Sequence, residues 1–482
     1  MQLSGIRHPT RFVPLVFFAA IILGTLLLTL PIARSATGAA PLITALFTAT
    51  SAVSVTGLVT VDTATYWSPF GLVVILLLFQ IGGFGIMTAA TLLGIVAGRG
   101  LRLSSRLLTQ TERGRLEAGD TTSVLKMVFS VTLAVEAVVA LCLTFRFHFG
   151  YQQPWTEALW SGVFHSVSAF NNAGFSIYSD NVMGFQTDAF VLLPIMIAII
   201  IGALGFPVMQ ELRMRGRAPR AWSLHTKITV LGTIILLVIG FIAILLAEWS
   251  NPDTLGPMGI GDKALNAAFH SVMPRTAGFN SLDVGAFRVE TLSINYVLMF
   301  IGGGSAGTAG GIKVTTFFLL GIVVWSEIRG QQDAAIFGRR IGTHVERQAL
   351  TVVLLATALI GVGTFILLSI TPFPLSDVMF ETISAFSTVG MSTGITGQIP
   401  PPGQVVLIVL MYVGRVGTIT VATALALGGK RKPYRYPEET PIVGSRQSFT
   451  QIGDGHSHWT WPFRDCRCTI AHPDGTRGSW YR

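Results

Sequence analysis

The chain has 482 residues, of which 51% are hydrophobic and only 12% charged, and it carries a net charge of +9. Soluble domains carry about 25% charged residues, so this balance, with a mean hydropathy of +0.62, excludes an ordinary soluble enzyme and makes lipid the solvent. Three cysteines do not form a secreted disulfide framework.

A membrane-crossing helix needs roughly 20 mostly apolar residues, and eight stretches qualify: 12–33, 70–97, 124–148, 188–210, 226–247, 291–324, 349–371 and 403–427. Helices are the expected spanning form, because each satisfies its own backbone hydrogen bonds. The first stretch follows Arg7 and Arg11 as a signal peptide would. Its apolar run exceeds the roughly 7–15 residues of a cleaved signal core, so it is read as a retained helix.

Basic residues gather between alternate stretches. Arg99, Arg102, Arg106, Arg113 and Arg115 follow the second, and Arg213, Arg215, Arg217, Arg220 and Lys227 follow or flank the fourth. Arg329, Arg339, Arg340 and Arg347 follow the sixth, and Lys430, Arg431, Lys432 and Arg435 the eighth. The other loops carry Asp62, Asp180, Asp188 and Asp253. This is the positive-inside pattern. It predicts a multi-pass protein of the cell (plasma) membrane with both termini cytoplasmic, and the basic loops need no nucleic-acid partner.

The outside loops each hold an apolar segment of about a dozen residues, too short to span, which ends in a glycine turn. They read FTATSAVSVTGL from Phe47, FHSVSAFNNAGF from Phe164, FHSVMPRTAGF from Phe269 and FETISAFSTVGM from Phe380. Gly57, Gly174, Gly278 and Gly390 are spaced by 117, 104 and 112 residues. Such self-similarity marks a repeated structural unit, here a span, a short helix, a glycine turn and a second span. Each copy begins and ends inside, so the copies are parallel and a pseudo-fourfold arrangement follows. The expected fold is all-α and integral to the membrane: eight transmembrane helices as four M1–P-loop–M2 repeats around a central pore. The repeats are placed at 1–110, 111–220, 221–341 and 342–430, with a cytoplasmic tail over 431–482.

A cation filter replaces the hydration shell with backbone carbonyls. Aiming them at one axis takes backbone angles that glycine reaches cheaply, and the negative C-terminal ends of the short helices would favour a cation there. The predicted ion-binding turns are Val55, Thr56 and Gly57; Asn172, Ala173 and Gly174; Thr276, Ala277 and Gly278; Thr388, Val389 and Gly390. K+ is expected at the four glycines. The fourth turn echoes the TVG of potassium channels.

The sixth stretch contains GGGSAGTAGG, with six glycines in ten residues: Gly302, Gly303, Gly304, Ser305, Ala306, Gly307, Thr308, Ala309, Gly310 and Gly311, followed closely by Lys313. Gly302, Gly304 and Gly307 match a dinucleotide-binding spacing, but no strand or βαβ unit surrounds them. A run this dense unwinds a helix and is read as a gate below the filter, where simple close packing would need fewer glycines. Arg415 lies in the middle of the eighth stretch, and an intramembrane charge is a functional candidate; it would hold the loop through carbonyls. Only the third copy is expected to carry a broken inner helix. His165 and His270 are read as hydrogen-bonding within their short helices, Glu136 as paired with a neighbour, and Arg275 and Glu381 as bracing their loops.

The glycine turns, GGGSAGTAGGIK and VGRVGT together resemble the Trk/Ktr/HKT potassium transporter superfamily, and eight spans resemble its KtrB-like membrane subunits. The resemblance covers about 12–444. It implies potassium uptake serving osmoregulation, and a homodimer standing on a cytoplasmic RCK-type regulatory ring (KtrA/TrkA-like) that binds nucleotide. It also implies K+ as the transported ion with Na+ a candidate activator, no organic cofactor on this chain, and glycine at position 57 going with potassium selectivity. The tail beyond Gly444 departs from the family pattern. Cys466, Cys468, His456, His458 and His472 lie in it, but the segment has no core, and disorder is expected in place of a metal site.

Three alternatives predict other features. A coupled carrier would show midplane carboxylates and inverted repeats. A membrane enzyme would show convergent catalytic side chains. A pump subunit would depend on a separate ATPase. The parallel repeats and acid-poor spans favour a pore.

Overall fold

The computed structural model describes residues 9–105, 120–331 and 333–427. Among these the elements run α1 (Pro9–Leu28), α2 (Leu42–Val53), α3 (Thr63–Tyr66), α4 (Pro69–Ser105), α5 (Asp120–Tyr151), α6 (Trp155–Phe170), α7 (Ala189–Leu204) and α8 (Phe206–Arg215). Then come α9 (Leu224–Glu248), α10 (Ile260–Val272), α11 (Val289–Phe300), α12 (Val314–Ile328), α13 (Thr343–Ile370), α14 (Leu375–Ser387) and α15 (Pro401–Leu427). A small antiparallel hairpin, β1 (Ala335–Ile336) with β2 (Arg339–Arg340), precedes α13.

The protein is a mostly helical membrane protein. Three described helices, Lys126–Tyr151, Leu224–Glu248 and Thr343–Ile370, are each long and apolar enough to cross a membrane, and α7 with α8 makes a fourth if the bent pair is one span. Apolar residues such as Leu23, Phe149, Ile242 and Phe365 stand exposed on α1, α5, α9 and α13, as lipid-facing surfaces require.

Helices α2, α6, α10 and α14 are short for a reason. Pro41, Pro154 and Pro374 precede three of them and Gly259 the other, and each runs 12–16 residues into a glycine turn. At 1.5 Å per residue that is about 18–24 Å, less than the hydrocarbon core. Their leading phenylalanines, Phe47, Phe164, Phe269 and Phe380, are all fully buried. These short helices pack against long neighbours: α2 on α1 and α4, α6 on α5 and α7, α10 on α9, and α14 on α13 and α15.

Two helical runs are interrupted. Between α11 and α12, residues 301–313 leave the helix, and Ile301 pairs with Ile312 in a single parallel bridge. The second break corrects the sequence reading, which treated 188–210 as one span and gave a broken inner helix to the third copy alone. Helix α7 stops at Leu204 and α8 restarts at Phe206, bent by 99°. Gly205 at the break has φ +89, and Pro207 behind it has no N–H with which to continue the ladder.

Candidate functional site: four glycine turns and a glycine-rich loop

The four turns share one backbone conformation. Gly57, Gly174, Gly278 and Gly390 have φ of +91, +68, +71 and +92, and the residues two before them, Val55, Asn172, Thr276 and Thr388, have φ of +56, +59, +68 and +52. A non-glycine residue there costs roughly 1–3 kcal/mol, so the surroundings impose the shape. The residue between them returns its N–H to the short helix: Thr56 to Ser51 O (2.8 Å), Ala173 to Ser168 O (2.7 Å), Ala277 to Met273 O (3.0 Å) and Val389 to Ser384 O (2.8 Å).

The turns meet in a closed ring. A Cβ added to Gly57 would lie 2.4 Å from the Ala173 carbonyl oxygen, one on Gly174 2.7 Å from Gly278 Cα, one on Gly278 2.7 Å from the Val389 oxygen, and one on Gly390 2.0 Å from the Thr56 oxygen. No side chain fits at any of the four positions. Residues Leu58, Phe175, Phe279 and Met391, directly after the glycines, are buried.

Three serines that the sequence reading missed hold the turns. Ser51 Oγ accepts from Gly57 N (3.1 Å), and Ser384 Oγ accepts from Gly390 N (3.1 Å) and donates to Met391 O (2.6 Å). Ser168 Oγ donates to Phe175 O (2.8 Å). Each stands six residues before its glycine, a register visible once the copies are aligned. The third copy, one residue shorter, has Val272 there.

The loop of residues 302–311 lies against this ring. A Cβ on Gly310 would lie 1.9 Å from Thr388 Oγ1. Thr308 Oγ1 donates to Asn172 Oδ1 (2.9 Å) in the second turn. Arg415, 2% exposed, donates from Nη1 to the Thr308 carbonyl (2.5 Å). Lys313 Nζ turns back to Ala309 O (2.6 Å). Toward α7, Gly304 N donates to Ala203 O (2.8 Å) and Thr308 N to Gly202 O (3.1 Å). The sequence singled out Gly302–Gly311, Lys313 and Arg415 as a group, and they are neighbours; nothing in the sequence marked Gly202, Ala203 or Gly205 as their partners.

The secondary candidates take structural positions. Glu136 on α5 accepts from Gln80 (3.3 Å) and Asn171 (3.2 Å), tying the second turn to two long helices. Arg275 braces the third turn against α9, donating to Thr233 O (3.0 Å). Glu381 accepts from Ser392 and from Thr396 (2.9 Å) behind the fourth turn. His165 contacts Ser161 O (2.8 Å) within α6. His270 departs from that reading, since both its ring nitrogens are buried without a hydrogen-bond partner. Among the described residues no group of three or more His, Cys, Asp and Glu could hold a metal. Cys466, Cys468, His456, His458 and His472 lie outside the described residues.

Comparison with known proteins matches residues 5–430 to the family described as "TrkH: Cation transport protein". The Ktr system potassium uptake protein B of Bacillus subtilis is 39% identical over 90% of this chain and 97% of its own length. Its counterpart in Vibrio alginolyticus is 36% identical over 90% and 94%, and the potassium/sodium uptake protein NtpJ of Enterococcus hirae 35% over 90% and 97%. The crystal structure of the potassium transporter TrkH from Vibrio parahaemolyticus superposes with a TM-score of 0.68 at 18% identity, covering 88% of this chain and 86% of that one, which is a likeness of fold.

Proposed function

The chain belongs to the TrkH family of cation transport proteins, of the Trk/Ktr kind and not an enzyme, and on that premise we propose that it conducts potassium into the cell through the ring of four glycine turns. The observation that carries this reading is the closed ring itself, with φ positive at each glycine and again two residues earlier. Backbone carbonyls of an extended strand alternate in direction. A change of sign in φ at alternate residues turns successive carbonyls to one side, and the N–H groups are drawn back to the short helices. Unpaired carbonyl oxygens then face the axis, where they replace the hydration shell of a cation. The C-terminal ends of α2, α6, α10 and α14 add their negative partial charge.

In this reading the protein spans the plasma membrane eight times. Four M1–P-loop–M2 units occupy 1–110, 111–220, 221–341 and 342–430, both termini are cytoplasmic, and the tail over 431–482 follows. Val55–Gly57, Asn172–Gly174, Thr276–Gly278 and Thr388–Gly390 form the filter. The loop of residues 302–311 closes the path below it, held by Lys313 and Arg415. An inside-negative potential drives entry with about 2.3 kcal/mol per charge per 100 mV. The relatives named Ktr system and potassium/sodium uptake proteins favour potassium as substrate, with Na+ a candidate activator. The resemblance carried by the glycine turns, GGGSAGTAGGIK and VGRVGT implies in addition a homodimer on a cytoplasmic RCK-type, nucleotide-binding ring, which in this reading pulls the loop aside.

Rubidium uptake into proteoliposomes, competed by potassium or by sodium, tests the function. Potassium should compete far more strongly than sodium, and equal competition rejects a potassium filter. Deleting residues 304–310 should raise basal uptake, and unchanged uptake rejects the gate.

A further inference from the structure

We propose that the break between α7 and α8 is the receptor for the 302–311 loop, an inference that rests on that loop being the gate. Gly205 and Pro207 are the positioning residues of the receptor, and opening exchanges hydrogen bonds between the loop and a re-formed helix.

A helix that stops leaves its last carbonyls without N–H partners. At the end of α7 two of these, Gly202 O and Ala203 O, are taken by loop N–H groups, from Thr308 (3.1 Å) and Gly304 (2.8 Å). In return the first N–H of α8, from Phe206, donates to the loop's Ala306 carbonyl (3.2 Å). Each broken inner helix therefore completes the other. The fit is close: a Cβ on Gly205 would lie 2.3 Å from the Ser305 carbonyl oxygen, and one on Gly304 2.2 Å from the Leu204 carbonyl oxygen.

The two carbonyls differ in what they can do when the loop leaves. In a continuous α-helix the N–H of residue i bonds the carbonyl of residue i−4. Phe206 N–H would then take Gly202 O, replacing Thr308. Ala203 O would face residue 207, which is proline and has no N–H. Gly202 O thus has a partner in either state, while Ala203 O is kept for the loop alone. Glycine at 205, with φ +89 and ψ 144, holds the chain in the bent state, in a region that L side chains rarely adopt.

The middle of α8 is tied to the start of α9. Glu211 accepts from Ser223 N (2.8 Å), Ser223 Oγ (2.6 Å) and Thr226 Oγ1 (2.5 Å). Helix α8 is consequently a stiff link from the start of α9 to the loop. A pull on it would straighten the bend and release the loop, because the same Phe206 N–H cannot serve Ala306 O and Gly202 O together.

The test is rubidium uptake by full-length protein in proteoliposomes, combined with a spin-label distance between Ile197→Cys and Met214→Cys in a chain whose native cysteines are replaced. Pro207→Ala supplies an N–H for Ala203 O, and Gly205→Ala disfavours the bend. Each should raise basal uptake roughly five-fold, the effect of about one hydrogen bond for Pro207→Ala and of about 1 kcal/mol of backbone strain for Gly205→Ala, and neither should add anything in the chain lacking 304–310. Deleting the loop should lengthen the label distance toward the about 25 Å of an unbroken helix. If the deletion raises uptake while Pro207→Ala and Gly205→Ala leave it at the wild-type level and the distance stays fixed, the break is a static kink and the receptor is overturned with the gate intact. If the deletion leaves uptake unchanged but moves the distance, the gate fails and the coupling of loop to break stands. If both stay fixed, both are overturned.

Discussion

Thr308 donates its hydroxyl to Asn172 Oδ1 across 2.9 Å, so the loop between α11 and α12 is bonded to the glycine turn that follows α6. The Thr308 carbonyl meanwhile accepts from Arg415, and its N–H is given to Gly202. One residue thus ties the loop to the second glycine turn, to Arg415 of α15 and to the end of α7. Replacing Thr308 by Val keeps the shape and removes the hydroxyl, while Ser keeps the hydroxyl. Thr308→Val should raise basal rubidium uptake roughly five-fold, from the loss of about 1 kcal/mol, and Thr308→Ser should stay near wild type. Arg415→Gln removes a buried charged donor, so its effect should be larger, on the order of ten-fold or more for about 1.5–3 kcal/mol.

Gly57 faces the Ala173 carbonyl at a distance that admits no Cβ. Gly57→Ser must displace that carbonyl or the turn, and it adds a hydroxyl beside the axis. The ratio of potassium to sodium competition against rubidium uptake should fall, with total uptake retained. A ratio equal to wild type would mean that the first turn takes no part in selection.

Ser384 serves both the Gly390 N–H and the Met391 carbonyl. Ser384→Ala leaves two buried backbone groups unpaired, at about 1–3 kcal/mol each. Thermal unfolding should shift down by several degrees, and discrimination against sodium should weaken. Exposed Ser369, whose hydroxyl bonds Phe365 O on its own helix, serves as the control, and Ser369→Ala should change neither reading.

Asp62, in the loop after the first turn, accepts from Ser179 Oγ (2.6 Å) of the second copy, from Thr65 Oγ1 (2.8 Å) and from Ala64 N (3.0 Å). Burial raises its pKa, but the hydrogen bonds from Ser179, Thr65 and Ala64 outweigh that and leave it below the ordinary value of 3.8. A carboxyl lowered in the folded state stabilises fully above its unfolded pKa, and the gain is lost as pH falls through the folded value. The stability difference between wild type and Asp62→Asn should therefore be present at neutral pH and vanish in strong acid. It should be small, since the site is mostly solvent-accessible. Thermal unfolding in detergent over that range measures it.

Much of this was legible in the residues because the chemistry leaves few options. Short apolar segments that end in glycine recur where a non-spanning helix must dip and turn, and Gly57, Gly174, Gly278 and Gly390 do meet. Six glycines in residues 302–311 do interrupt a helix, and Arg415 does reach it. The bend at Gly205 was missed because Phe206, Val208 and Met209 carry the apolar run on past the local breakers Gly205 and Pro207. What breaks the helix is Gly205 followed by Pro207, together with loop N–H groups that arrive from about a hundred residues away. The link from Asn172 to Thr308 has no local signature at all, since it exists only once the copies pack. The serine clamps lay within reach, in a register six residues before each glycine in three copies.

Anomalous diffraction from crystals grown in rubidium tests the central claim most directly. The scattering peaks should lie on the axis enclosed by Gly57, Gly174, Gly278 and Gly390, and they should weaken when potassium, but not sodium, is added. Rubidium bound elsewhere in the protein, with none inside that ring, would contradict the account.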